Sequence, residues 1–261
     1  MKRRQWIIFG STILLGIVAF SFNNYTLKKK ETAIVTSAAV DSKKVYQLAL
    51  SQLNPKVADS LENLLNEDDL ESAALVLEQT RKLDAAVTAR VELLSKANDK
   101  DDLLFNARKI VNSLRFLANQ SVKQSAISKV EGLLNNWLKD EPNNLNYLIL
   151  MAGLEIEGKQ DVMSGVTLLK RVVAEDPDNM AASFQLGRLS IQSGQFEKAV
   201  QRFEVVLGVD PNSVDALLYM SEAQMGLGEK AKALEYLIKA AESAENPAIK
   251  EEIKKYIERI S

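Results

Sequence analysis

The sequence predicts an all-α protein, in which one N-terminal transmembrane helix precedes an α-helical solenoid of antiparallel helix pairs. Three observations lead to this fold class. The 261 residues include only 11 glycines and 5 prolines, so residues that break helices are scarce. An uncharged apolar segment lies near the N-terminus, and a turn-forming motif recurs at nearly constant spacing in the second half of the chain.

The apolar segment runs from Trp6 to Phe22 and reads WIIFGSTILLGIVAFSF. As a helix it would be about 26 Å long, close to the roughly 30 Å hydrocarbon core of a bilayer. Trp6 and Tyr25 flank it, as interfacial aromatic residues do. We therefore expect a basic N-terminus at residues 1–5, a transmembrane anchor at residues 6–25 and a linker at residues 26–44.

Two other interpretations of this segment remain open. A cleaved signal peptide has a shorter apolar stretch followed by small residues, whereas bulky Phe20 and Phe22 stand here. A buried core helix would not be expected to carry Lys and Arg clusters on both sides. The anchor is the interpretation that fits best.

The distribution of basic residues predicts the orientation of the anchor. Lys2, Arg3 and Arg4 lie directly before the segment, and the second cluster, Lys28–Lys30, follows it after a short spacer. The positive-inside tendency then places the N-terminus in the cytoplasm. The expected location is a single-pass inner or cell membrane, with the soluble part extracytoplasmic, or periplasmic in a diderm bacterium.

The remaining composition restricts the chemistry. There is no cysteine and no histidine, so thiolate catalysis is excluded and the commonest general base and metal ligand are missing. No catalytic motif or phosphate-binding loop is present. The basic excess is confined to the N-terminus, and the acidic remainder would repel a phosphate backbone. We expect no enzyme activity, no metal, no cofactor and no nucleic-acid partner.

The recurring motif is an acidic residue followed by proline and a capping residue. It occurs at residues 141–144, 176–179 and 210–213, with the prolines 35 and 34 residues apart. Proline cannot continue a helix, and Asn, Asp or Ser caps the next one. A small or β-branched residue stands twelve residues before each proline, and a large apolar residue stands eight residues before it. The three pairs are Val130 and Leu134, Gly165 and Leu169, and Ala199 and Phe203.

Small residues also occur where two helices of a pair would cross. The first helix offers Ala152, Gly187 and Ser221, and the second offers Gly165, Ala199 and Ala233. Gly194 and Gly228 would permit the turns between the helices. The segment 145–179 is one residue longer than the segment 180–213, and the extra residue lies near its inter-helix turn, close to Gly158.

This pattern resembles the tetratricopeptide repeat family, most clearly over residues 180–213, and it has the layout of membrane-anchored bacterial envelope members. The resemblance implies three repeats at 141–248, each with a helix A and a helix B. Residues 249–261 are expected to form a capping helix, with Ile249, Ile253, Tyr256, Ile257 and Ile260 on one face. Residues 45–140 are expected to be a divergent helical region, with helices near 43–53, 56–66, 69–82, 84–97, 101–118 and 122–140.

In this family, helix A of each repeat lines a concave groove where ligands bind. The implied groove residues of this sequence are Asn146, Ile149, Gly153, Ile156, Ala181, Phe184, Arg188, Ile191, Gln192, Asp215, Leu218, Glu222 and Met225. The set is largely apolar, and exposed apolar patches mark partner surfaces. The alternative is that these residues pack against the helices of residues 45–139 and belong to the core.

The function predicted from these features is a membrane-anchored scaffold or assembly factor that binds a protein or peptide partner in the groove. A periplasmic, chaperone-like holder of unfolded clients is an alternative. So is an accessory subunit of a cytochrome c maturation-type apparatus, which shares the architecture only. Homo-oligomerisation is compatible with each.

Overall fold

The computed structural model describes residues 40–260. The predicted basic N-terminus, the transmembrane anchor and residues 26–39 of the predicted linker lie outside this range. Across residues 40–260 the regular structure is helical throughout, with no β-strand. The predicted all-α fold class is confirmed for the described part of the chain. None of its helices is both long enough and apolar enough to cross a bilayer.

Thirteen α-helices follow one another between residues 42 and 260. Their bounds are α1 Ser42–Leu50, α2 Pro55–Asn66, α3 Leu70–Gln79, α4 Leu83–Lys96, α5 Lys100–Ser113, α6 Gln120–Asp140, α7 Leu145–Gly153, α8 Val162–Glu175, α9 Met180–Gln192, α10 Phe196–Val209, α11 Val214–Gly226, α12 Lys230–Ser243 and α13 Pro247–Ile260. A 3₁₀ turn at Leu114–Phe116 follows α5. The six helices expected before residue 141 are therefore present, although α1 begins three residues inside the predicted linker, because Asp41 caps it.

The turn motifs act as expected at two of their three occurrences. Asn144 Oδ1 accepts a hydrogen bond from the backbone N–H of Asn146 at 3.1 Å, and Asn179 Oδ1 accepts one from Ala182 at 3.0 Å. Both bonds satisfy backbone donors that a helix N-terminus leaves unpaired. Ser213 precedes α11 without such a side-chain bond.

The described chain folds as two compact units that divide after Glu175. In the N-terminal unit (residues 40–175), the main apolar cluster joins α4, α5, α6 and α7 around Ile110, Leu134 and Leu154. A second cluster lies around Leu61 and Leu77 of α2 and α3.

The C-terminal unit (residues 176–260) contains α9 to α13 and has two apolar clusters. One centres on Phe203 and Met220. The other joins Leu217 and Leu237 to Ile253 and Tyr256 of α13.

Small residues stand at the helix crossings, as predicted. A Cβ atom added to Gly187 of α9 would lie 2.7 Å from Phe203 Cζ of α10, and one added to Gly165 would lie 2.9 Å from the carbonyl oxygen of Ala152. Carbon atoms normally approach no closer than about 3.5 Å. Each pair of helices can therefore approach only because the side chain is absent.

The inter-helix turns differ among the repeats. Gly194 and Gly228 have φ of 72° and 83°, the left-handed conformation that glycine adopts without strain. In the first repeat Leu154–Lys159 forms a π-helical turn, which accommodates the extra residue predicted there. Gly158 is buried inside this turn, and Gln160, with φ of 62°, makes the reversal instead.

The predicted capping helix is α13. Its N-terminus is capped by Asn246, whose Oδ1 accepts a hydrogen bond from Ala248 N at 2.9 Å. Ile253 and Tyr256 are buried, with Ile257 and Ile260 packed beside them. Ile249 was predicted on the same buried face but is 42% exposed, because the contact with the apolar cluster begins only beyond the first turn of the helix.

Candidate functional site

Two helices of the C-terminal unit present the residues predicted to face a ligand. Helices α9 and α11 are neighbours, and the rings of Phe184 and Tyr219 lie 5.4 Å apart between them. Side chains at spacings of three and four share one helix face. We define the α9–α11 face as Ala181, Phe184, Arg188, Ile191, Gln192, Asp215, Leu218, Glu222 and Met225.

The apolar members of this face rest on the core of their own unit. Phe184 and Ile191 are partly buried and pack on the cluster around Phe203. The Phe184 ring meets Phe203 edge-on at 5.8 Å and Tyr219 at 5.4 Å. Leu218 packs in the same way on the cluster that contains Tyr256. Their outward edges remain accessible and form an apolar floor.

The rim of the face is exposed. Ala181, Gln192 and Asp215 are exposed, and Met225 is exposed by 36% at the C-terminal end of α11. Methionine is flexible and adapts to ligands of different shape. The face therefore combines a fixed aromatic and aliphatic floor with an adaptable edge.

Glu222 is the ionisable group at the centre of the α11 part of this face. It is partly buried, and burial raises the pKa of its carboxyl above the ordinary value of 4.5. The pKa of the Tyr256 hydroxyl on α13 is raised first by the burial of that hydroxyl and second by the negative charge of Glu222. Burial is the one cause of the shift at Glu222, and no hydrogen bond or opposite charge from residues 40–260 lowers the pKa of its carboxyl. Its cost of desolvation is thus not offset by a described partner.

The repeat pattern and the helix geometry agree with the comparisons. The family model described as tetratricopeptide repeat matches residues 165–207 and 190–251. Residues 165–251 belong to the tetratricopeptide repeat family.

A thermophilic tetratricopeptide repeat protein of Thermus thermophilus has a similar fold. The TM-score is 0.54 at 15% sequence identity, and the match covers 73% of this chain and 98% of that one. YrrB, a tetratricopeptide repeat protein with an unusual peptide-binding site, matches with a TM-score of 0.43 at 18% identity, over 76% of this chain and 97% of that one.

In sequence, the chain is similar to lipopolysaccharide assembly protein B of Escherichia coli strain K12. The two are 26% identical over 183 residues, which make up 66% of this chain and 47% of that protein. The chain spans about half the length of the curated relatives it matches.

The predicted first repeat, residues 145–179, holds the other predicted groove residues, which lie in the N-terminal unit. Asn146 is exposed, and Ile149 and Ile156 are partly buried. Ile156 packs against Gly165 of α8, so part of its side chain serves the contact between the two helices of this repeat. Gly153 was predicted to face the groove, but it is buried, and a Cβ atom there would lie 2.8 Å from Val111 Cγ1. It permits the close approach of α5 instead.

Sequence reasoning missed a buried polar cluster in the divergent region before the tetratricopeptide repeats. The Arg90 side chain is only 1% exposed. Its Nε donates to Glu78 Oε1 at 2.6 Å, and its Nη1 donates to Asn106 Oδ1 at 2.8 Å. The guanidinium also lies 5.5 Å from the centre of the Phe105 ring. Because the three polar residues come from α4, α3 and α5 without any repeat spacing, no sequence signal would have linked them.

The tetratricopeptide repeats and the preceding helices hold no recognisable metal site. Within residues 40–260 no three carboxylate side chains are grouped so that they could bind an ion. Several carboxylates form ion pairs instead, such as Glu141 with Lys100 and Glu131 with Lys159.

Proposed function

We propose that this chain is a membrane-anchored, non-catalytic interaction subunit that binds a segment of a partner protein on the α9–α11 face. The observation that carries the proposal is the composition of that face. Two neighbouring A helices present an accessible apolar floor beside a carboxylate that lacks a described partner. Surfaces of this kind are typical of protein-binding sites.

The cell envelope is the proposed location. Residues 6–25 provide the apolar segment for a single-pass anchor, with the N-terminus in the cytoplasm and the repeats on the extracytoplasmic side. The similarity to lipopolysaccharide assembly protein B supports a role in an envelope assembly process. On this proposal the repeats recruit a partner, and the anchor keeps the complex at the membrane.

The binding test needs substitutions that leave the core intact. Phe184 and Leu218 are unsuitable, because both pack on apolar clusters. Met225→Asp places a charge on the exposed rim of the α9–α11 face. Ile238→Asp is the matched control, because Ile238 on α12 is 49% exposed and lies outside that face.

The full-length chain and both variants would be used for affinity capture from detergent-solubilised membranes of the source organism. We expect one partner in stoichiometric amount with the unmodified chain and with Ile238→Asp, and a loss of tenfold or more with Met225→Asp, roughly 1.4 kcal/mol. Equal recovery with all three proteins would contradict binding on this face. A mixture of many unrelated proteins would support a chaperone-like holder instead.

The anchor has a separate test. Deletion of residues 6–25 should move the protein from the membrane pellet to the soluble fraction after alkaline extraction. A reporter fused after Ser261 should be active only outside the cytoplasm, and activity inside it would contradict the proposed orientation.

A further inference from the structure

Glu222 occupies a position that the repeat architecture does not require to be charged. The corresponding residue is Arg188 one repeat earlier and Gly153 in the first repeat. The neighbouring crossing positions behave differently, since Ala152, Gly187 and Ser221 are all small and all buried. Packing therefore restricts the crossing position in all three repeats, whereas at the next position it excludes a side chain only in the first repeat, at Gly153. A carboxylate at residue 222 calls for another explanation.

The surroundings of Glu222 are apolar on its own helix. Leu218 and Met225 precede and follow it on the same face, and Leu218 rests on the apolar cluster that includes Tyr256. A charged carboxylate in such a place loses hydration without gaining a described hydrogen bond or cation. Groups that cost stability in this way are concentrated at functional sites.

A bound ligand could provide the missing cation. A lysine or arginine side chain that reaches Glu222 would form a charge-assisted hydrogen bond in a partly desolvated setting, where such a bond is strongest. Apolar neighbours on the ligand would cover Leu218, Met225 and Phe184. An acidic or neutral residue at the same place would leave the carboxylate unpaired or repelled.

Resting on the proposed function, we propose that the α9–α11 face selects an apolar protein segment with one lysine or arginine side chain, which pairs with Glu222. The carboxylate then supplies specificity, while the floor of Phe184, Ile191 and Leu218 supplies most of the affinity. This division of roles is common at protein interfaces.

The test uses the full-length chain in detergent, immobilised through a tag after Ser261, and a displayed library of random 12-residue peptides. Selections are run in parallel against the unmodified chain, Glu222→Gln, Glu222→Lys and Glu235→Gln. Glu235 lies exposed on α12, so its substitution controls for the loss of one negative charge elsewhere. Far-ultraviolet circular dichroism and thermal melting establish that each variant is folded.

We expect the unmodified chain and Glu235→Gln to enrich apolar peptides with a basic residue at one fixed position. Glu222→Gln should enrich the same apolar pattern without the basic residue, and Glu222→Lys should favour Asp or Glu there. In a synthetic peptide, lysine→norleucine should weaken binding to the unmodified chain roughly ten- to hundredfold. Binding to Glu222→Gln should change less than about twofold.

The possible failures are distinct. If no apolar pattern is enriched by the unmodified chain, the proposed function itself fails. If an apolar pattern is enriched with no basic position, or with one that persists in Glu222→Gln, the proposed function stands and the role of Glu222 is refuted.

Discussion

The crossing of α9 and α10 in the C-terminal unit allows one stability prediction to be worked out from the structure. A Cβ atom on Gly187 would lie 2.7 Å from Phe203 Cζ and 2.9 Å from each of its Cε atoms. Since carbon atoms pack at about 3.5–4.0 Å, the ring would have to retreat by roughly 0.8 Å. It has little room, because Tyr219 is stacked on it at 5.6 Å and Phe184 meets it edge-on at 5.8 Å.

The expected effect of Gly187→Ala is the sum of two opposing terms. Overfilling a packed core costs about 1–3 kcal/mol, and replacing glycine by alanine inside a helix gains up to about 1 kcal/mol. Because the ring is held on two sides, we expect the upper part of the cost and a net loss of about 1–2 kcal/mol. Gly132→Ala in α6 is the matched control, since nothing lies within 4 Å of its added Cβ atom. It should gain about 0.5–1 kcal/mol.

Urea denaturation followed by circular dichroism measures both changes. A third variant tests the cause, because Phe203→Leu removes the ring atoms that the new methyl group would meet. In that background Gly187→Ala should cost little, which gives a coupling energy of about 1–2 kcal/mol in a double-mutant cycle. If Gly187→Ala is as stable as the unmodified chain, or if its cost persists in the Phe203→Leu background, the close-crossing argument is wrong.

Three further predictions follow from single side chains. The raised pKa of Glu222 means that the folded state holds its proton more tightly than the unfolded state, so the free energy of unfolding falls as pH rises above about 4.5. In urea titrations Glu222→Gln should therefore be more stable than the unmodified chain at pH 7 and as stable as it at pH 3.5. The same difference in stability at both pH values would contradict this. Arg90→Ala removes the donor to Glu78 Oε1 and Asn106 Oδ1, although Lys109 still pairs with Glu78 Oε2, and should lower the free energy of unfolding by about 2–4 kcal/mol. Chemical denaturation measures the change, with the milder Glu78→Gln for comparison. Asn144→Ala removes the side-chain cap of α7 and should cost about 1 kcal/mol in a thermal melt, whereas no change would show that solvent replaces the cap.

The repeats were predictable because their information is local. Proline, glycine and the small residues at the crossings act on the backbone or on the neighbouring helix at a constant spacing, so the pattern could be aligned over residues 141–248. Even the irregularity of the first repeat was visible as one extra residue. The sequence did not show the form that this irregularity takes, which is a π-helical turn followed by Gln160 in the left-handed conformation. Helix geometry and side-chain packing together decide among several ways to accommodate an inserted residue.

The candidate site was predictable only in part. Periodicity identified which residues of α9 and α11 share a face, but it could not state how deeply each is buried. Gly153 illustrates the limit, because its position in the pattern equals that of Arg188, yet α5 covers it. That the groove residues form a binding surface stays a prediction, and peptide selection tests it directly.

The sequence by itself determined the all-helical fold of residues 40–260, the repeat pattern and its turns, since helix propensity, capping and the spacing of small residues depend on neighbours along the chain. Only the tertiary structure decided which polar groups have partners. Arg90 meets Glu78 and Asn106 from other helices, while the partly buried Glu222 has no cation among residues 40–260 that offsets its burial. Such differences depend on distances between helices that are remote in sequence, and a one-dimensional pattern does not contain them.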